Sequence, residues 1–266
     1  MTLKEINAMH LGLSAAGRVA MRPASLAAMG LTGALMLLLP LSAIARDVAV
    51  GLRLAPPYVQ ATANGILGIE HDIIAAALAE RGHRLVPKLY PFARLVMTFN
   101  QNEAIDAAAP VIASLPVKGT LSASYLTYHN IGLSLANATV RADQIADLSR
   151  PSIVAFQNAR VLLGPEFAAV VAQNPMYREE ANQQNQVRVL FNARTDLIIG
   201  ERRILQYFIA NPEPDVDTKL PVREHLLFTP INYSVVFRDP ALAQDFNEGL
   251  AAIKASGLYD AILQKY

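Results

Sequence analysis

The chain has 266 residues, of which 53% are hydrophobic and 17% charged, with a formal net charge of +1. That length suits one large core or two smaller ones, and no Lys/Arg block with interleaved aromatics points to nucleic acid. There is no cysteine. This excludes thiolate chemistry, disulfides, cysteine-ligated metals and an acylated N-terminal cysteine.

Arg22 is followed by an Ala/Leu-rich run to Leu41 that contains GALMLLLP. The small residues of Ser42-Ala43-Ile44-Ala45 come next. This is the pattern of a secretory signal, expected over 1–45 with the cut after Ala45 and a compact start at Met21. A membrane anchor fits less well, because the apolar core is short and broken by Pro40. Removing Lys4, Arg18, Arg22 and Glu5 leaves 20 basic and 21 acidic residues. No further apolar run of about 20 residues follows. The expectation is a soluble, exported product that is not a lipoprotein.

Asp47 to Leu54 alternates and predicts a strand, stopped by Pro56-Pro57 and followed by Tyr58. A turn at Asn64-Gly65 leads to a helix over 70–81, with Ile73, Ile74, Ala77 and Leu78 as its stripe and Gly82 as its end. A strand over 84–89 precedes a helix that starts at Pro91 and is expected to bury Phe92, Leu95, Val96 and Phe99. Ala104 to Ala109 predicts a strand closed by Pro110. Residues 110–128 are irregular, and Asn130 to Leu135 is the next apolar strand. This strand and helix alternation is the α/β pattern.

A second unit opens with a short helix over 143–149, a strand over 152–156 and a helix over 161–172. Tyr177 to Asn182 is polar, and Val187 to Phe191 leans to helix. A strand over 195–199 runs into a helix over 201–208, stopped by Asn211-Pro212-Glu213-Pro214. Strands are expected over 225–228 and 233–237, then helices over 240–255 and 258–264. Chain crossings near 134–140 and 228–234 would divide the protein into one lobe of 46–134 plus 233–266 and another of 135–232. Open α/β sheets bind ligands beyond the C-terminal ends of their strands, and clefts between domains favour small molecules.

There is no G-x-S-x-G elbow, P-loop or G-x-G-x-x-G. His71, His83, His129 and His225 show no metal spacing. No metal, cofactor or catalytic residue is assigned. The strand ends carry the candidates. Asn158 and Ala159 lie between a strand and a helix, where backbone N–H groups bind anions, although Asn158 could equally cap the helix. Arg160 fits a carboxylate fork or a wet surface. Glu201, at the start of a helix, suits the helix dipole or a ligand ammonium. Tyr58 can stack on a ligand or pack on its own lobe. Arg94 lies at the edge of an apolar stripe, free to snorkel or to reach a cleft, and Lys118 lies in the irregular stretch. Asp106 is expected to bond backbone.

Several stretches, in order, resemble the family 3 extracellular solute-binding proteins of ABC uptake systems. They are PPY at 56–58, GILGIEHDIIAAAL at 65–78, YPFARLVMTFNQNEAIDAA at 90–108, IVAFQNARVLLGPEF at 153–167, ARTDLIIGERRILQYF at 193–208 and FNEGLAAIKASGLYDAILQKY at 246–266. The resemblance implies a type II periplasmic-binding-protein fold: two α/β lobes, each a mixed sheet flanked by helices, joined by two hinge crossings and closing on a solute. It implies a monomer that hands a small polar solute, an amino acid or a related small organic acid or amine, to an ABC permease in the inner membrane, with no turnover. Enzymes of dehydratase type and solute sensors on the same scaffold are the alternatives. By resemblance, Tyr58 lines the first lobe, Asn158 and Ala159 hold a carboxylate, and Glu201 binds an ammonium. The family's Thr-x-Glu-Arg segment, whose arginine grips the carboxylate, is replaced here by a stretch with Val117 and Lys118. Lys118 or Arg94 is left to serve instead, or the solute is not an α-amino acid.

Overall fold

The computed structural model describes residues 46–101 and 104–266. The expected leader, 1–45, and the alternative start at Met21 lie outside the described residues.

The first lobe begins with β1 (Asp47–Leu52), a small hairpin of β2 (Gln60–Thr62) and β3 (Gly65–Leu67), and α1 (Ile69–Ala79). It continues with β4 (Arg84–Leu89), α2 (Phe92–Gln101), β5 (Ala107–Val111), β6 (Thr120–Leu121) and β7 (Leu126–Tyr128). The second lobe holds β8 (Asn130–Leu135), a 3₁₀ turn (Ile145–Ser149), β9 (Ile153–Phe156), α3 (Ala159–Leu162), α4 (Pro165–Val171) and β10 (Tyr177–Glu180). It then adds α5 (Gln183–Phe191), β11 (Leu197–Glu201), α6 (Arg202–Ala210) and β12 (Val222–His225). The chain returns to the first lobe as β13 (Ile231–Phe237), α7 (Pro240–Ala255) and α8 (Leu258–Lys265).

The first sheet runs β4-β1-β5-β13-β6, with β7 also pairing β13; the second runs β10-β9-β11-β8-β12. In the first sheet β1 is parallel to β4 and β5, and the returning β13 is antiparallel to β5. In the second, β9 is parallel to β10 and β11, while β8 is antiparallel to β11 and β12. Both sheets are therefore mixed, and the parallel strands point their C-terminal ends at the gap between the lobes.

The central strands of each sheet, β1 and β5 in the first and β8 and β11 in the second, are covered on both faces and read as near-continuous apolar runs. Val48, Val50 and Leu52 of β1 are fully buried against Ile73, Ile74 and Leu78 of α1 and Phe246 and Leu250 of α7. Leu95 and Phe99 of α2 cover the opposite face. In the second lobe Val187, Leu190 and Leu205 cover one face, and Phe167 and Val171 of α4 the other. Two glycines permit close approaches. At Gly249 of α7 an added Cβ would stand 1.9 Å from the Ala77 carbonyl oxygen of α1. Gly68, at φ 129°, lies so near the Tyr58 carbonyl that a Cβ would stand 2.3 Å from its oxygen. That approach lets the Pro57 and Tyr58 carbonyls accept from Ile69 and Glu70 at 3.1 and 2.9 Å, fixing the start of α1.

Several expectations are corrected. Residues 130–134 belong with the second sheet, because β8 pairs β11 and β12, so the first crossing precedes Asn130. The strand expected over 104–109 is Ala107–Val111 and passes through Pro110. Its register with β13 slips between Ser234 and Val236, opposite the position where proline has no N–H to give. The helix expected over 161–172 is broken into α3 and α4 by Gly164, at φ 93°, and Pro165. The polar run at 177–180 is an edge strand, and the strand expected over 225–228 lies at Val222–His225.

Candidate functional site

A small, partly open cavity of about 40 Å³ lies between the lobes. Arg53, Tyr128 and Tyr233 line it from the first lobe; Asn130, Gln157, Gln183 and Glu201 bring polar groups from the second. Most of these residues lie at the ends of strands. Arg53 follows β1, Gln157 follows β9, Gln183 stands just past β10, and Glu201 ends β11. The cavity shares Arg53, Gln157, Ala181 and Gln183 with an outer pocket of about 560 Å³ that forms the mouth of the cleft.

Glu201 is 3% exposed and is both the last residue of β11 and the N-cap of α6. Its Oε2 accepts from the Ile204 N–H at 3.0 Å and its Oε1 from the His129 N–H at 3.4 Å. The Tyr58 hydroxyl is a further partner of the carboxylate. Burial raises the Glu201 carboxyl above its ordinary range, and the N–H groups and Tyr58 pull it partly back.

Tyr58 itself is 2% exposed. Its ring lies 4.4 Å from that of Tyr128, which lies 4.6 Å from Tyr233. Tyr58 is therefore core packing with a hydroxyl at Glu201, and it faces a separate groove, shared with His129, Arg203 and Tyr207, rather than the cavity. Burial, then Glu201, pushes the Tyr58 hydroxyl far above its usual value, and burial pushes Tyr233 up to about 12. The tyrosine wall stays neutral.

Arg53 is half-buried behind this wall. Burial opposes its charge, but Tyr128, Glu70 and Tyr233 outweigh that, and the guanidinium is held above its ordinary value. Glu70, 1% exposed at the start of α1, faces Arg53 and the Tyr125 hydroxyl. Burial pushes its carboxyl up to about 7 against the pull of Arg53. Asn130 is 4% exposed, and its Nδ2 is buried without a hydrogen-bond partner among the described residues. A buried amide in that state costs free energy unless an acceptor meets it.

The other sequence candidates fall elsewhere. Asn158 adopts a left-handed conformation, φ 67°, and its side chain does not cap α3. Glu179 of β10 does that work: its carboxylate accepts from the N–H groups of Asn158 at 2.7 Å and Arg160 at 3.1 Å. It also accepts from the Tyr177 hydroxyl at 2.9 Å, with the Arg160 Nε at 3.6 Å. Two N–H groups at this turn, those of Asn158 and Arg160, are thus engaged by the chain's own acid. Ala159 is fully buried in the second lobe's apolar cluster, and Arg160 is exposed. Arg94 is exposed on α2, and Lys118 is exposed with its N–H bound to Asn100 Oδ1 at 2.8 Å. None of Ala159, Arg160, Arg94 and Lys118 lines the cavity. The structure brings Tyr58 and Glu201 together and leaves the other candidates outside that contact.

Arg53, Asn130 and Glu179 escape a reading of the sequence. Arg53 carries the one usable signal, an arginine directly after the first parallel strand, where α/β sheets bind ligands.

Two mixed three-layer lobes joined by two crossings, with strand ends facing a shared cavity, define the type II periplasmic-binding-protein fold. Solved structures with this fold are similar along most of their length. The amino acid ABC transporter substrate-binding protein AbpA from Streptococcus pneumoniae, bound to L-arginine, is 17% identical, with a TM-score of 0.65 over 82% of this chain and 93% of that one. A histidine kinase sensor domain with similarity to periplasmic binding proteins is 17% identical, with a TM-score of 0.69 over 84% and 96%. An ancestral amino acid-binding protein described as a precursor of cyclohexadienyl dehydratase is 19% identical, with a TM-score of 0.64 over 83% and 95%. At these identities the likeness establishes the fold. No protein-family model and no curated protein sequence matches the chain.

Proposed function

We propose that the protein is a periplasmic solute-binding protein that captures a small polar solute between its lobes and delivers it to an ABC permease, as a monomer and without turnover. The observation that carries this reading is the cavity whose polar lining comes from both lobes, with the buried Asn130 Nδ2 in want of an acceptor. A polar solute closing the gap would satisfy groups on both sides at once, so that binding and lobe closure are coupled. The substrate-binding neighbour AbpA supports the same reading. No helix of the described residues is long and apolar enough to cross a membrane. Thermal-shift measurements against amino acids, amines and small organic acids test it, because a ligand of the native state raises apparent stability. A protein whose melting is unmoved by every solute class would refute the proposal.

Glu201 also favours a second reading. A carboxyl with a raised value beside a tyrosine hydroxyl at a cavity suits acid–base work on the same scaffold. Incubation with any solute that binds, followed by mass spectrometry, separates the two: an altered solute identifies an enzyme.

A further inference from the structure

We propose that the solute has an uncharged head of the carboxamide class, and that Tyr128 and Asn130, on either side of the first crossing between the lobes, donate to its carbonyl oxygen. The inference rests on the solute-binding reading and narrows it.

Tyr128 ends β7 and Asn130 opens β8, so the pair flanks the point at which the chain passes from one sheet to the other. Residues two apart on an extended chain put their side chains on the same side. Both line the cavity, and both are buried, Tyr128 at 2% exposed and Asn130 at 4%. Neither the Tyr128 hydroxyl nor the Asn130 Nδ2 has a hydrogen-bond partner among the described residues. Arg53, beside Tyr128, can only donate, so it supplies no acceptor for the phenolic proton. Two buried donors that face one small space are costly until an acceptor meets them. One carbonyl oxygen, with two lone pairs, meets both.

Charge decides what kind of oxygen it is. The cavity, about 40 Å³, has room for a few waters at about 10–15 Å³ each, so a head group within it lies close to every lining charge. Those charges are Arg53 and Glu201, of opposite sign. A carboxylate head would stand near the Glu201 carboxylate. An ammonium head would stand near the Arg53 guanidinium and would leave both donors unmet. Like charges at short range outside bulk water repel by several kcal/mol, about 4 kcal/mol at 4 Å near a protein surface. Arg53 has Glu70 as its counter-charge, and the tyrosine wall is neutral. A carboxamide escapes both repulsions. Its N–H groups can donate to the side-chain carbonyls of Gln157 and Gln183, which also line the cavity. The rest of the solute extends into the outer pocket of about 560 Å³, which shares both glutamines. Because Tyr128 belongs to the first lobe and Asn130 to the second, an oxygen bonded to both fastens the crossing itself.

Isothermal titration of the purified protein with two matched sets tests the proposal: propionamide, propionate and propylamine, and benzamide, benzoate and benzylamine. Within a set only the head differs. The expected result is that in at least one set the carboxamide binds tenfold or more tighter than both charged members. Tyr128→Phe, which keeps the buried ring, should weaken that carboxamide at least fivefold. Asn130→Leu should weaken it at least tenfold without lowering the thermal midpoint, because it takes an unpartnered donor out of the interior. A charged member as tight as the carboxamide in both sets, or a carboxamide affinity unchanged in either variant, would overturn the proposal. If none of the six binds while another solute class does, the carboxamide proposal is lost and the solute-binding reading stands. If no solute of any class binds, both are lost.

Discussion

Glu201 serves two purposes at once, and they separate by substitution. Its Oε2 caps α6 through the Ile204 N–H, and its charge faces the cavity. Glu201→Gln keeps an acceptor for that N–H and removes the charge. We expect a carboxylate to gain at least tenfold on the matching carboxamide in titration calorimetry, while the thermal midpoint moves little. Glu201→Ala removes the cap as well, and loses a further ~1 kcal/mol of stability. Glu70 makes a pH prediction. Its carboxyl titrates near 4.5 unfolded and about 7 folded, so between those values the folded state holds more protons than the unfolded one. Stability from this group is present below about 4.5 and is lost as pH rises through about 7. Urea unfolding of Glu70→Gln, which mimics the protonated acid, should show a flatter dependence on pH across that window. A slope identical to that of the parent protein would rule the assignment out.

At the scale of elements, α1 and α7 are held in contact by the absence of one side chain. Gly249→Ala would drive a Cβ into the Ala77 carbonyl, backbone against backbone, and should cost about 1–3 kcal/mol in chemical denaturation. The same scale shows what a sequence can disclose. The strand at 130–135 and the helix at 240–255 are legible to the residue, because burial on both faces or a strong stripe leaves one reading. The edge strand β10, Tyr177–Glu180, is polar and carries no such pattern, since only its parallel pairing with β9 makes it a strand. The candidate site divides in the same way. Glu201 is legible as the acid at a strand-to-helix junction, one of whose two expected roles, holding the start of α6, is seen in its bond from the Ile204 N–H. Asn130 is not, because its significance is an orphaned amide created by packing between distant segments. Glu179 is hidden for a related reason: it lies about 20 residues from the turn that it fills. Asp106 shows the reverse case, an acid expected to bond backbone that accepts the Ala49 N–H at 2.8 Å from the neighbouring strand.

At the scale of the molecule, α6 belongs to the second sheet's connections yet packs across the gap. Ile204, 1% exposed, lies in the first lobe's apolar cluster, and Phe208 contributes to the clusters of both lobes. Arg203 donates to the Leu263 carbonyl of α8 at 3.1 Å, and the Tyr207 hydroxyl meets Gln60 at 3.3 Å. These contacts join the lobes without a solute, so calorimetry should show one unfolding transition. Ile204→Ala, at a cost of about 2–5 kcal/mol, should loosen that joint and resolve two. The returning chain has a consequence for biogenesis. Strand β13 sits between β5 and β6 although more than a hundred residues separate it from β5. As the ribosome works from the N-terminus, the earlier strands emerge with no partner for that edge, and the sheet cannot close until residue 237 has left the tunnel. The second sheet, whose strands all lie between residues 130 and 225, can form first, so the two sheets are completed in the reverse of the order in which they begin.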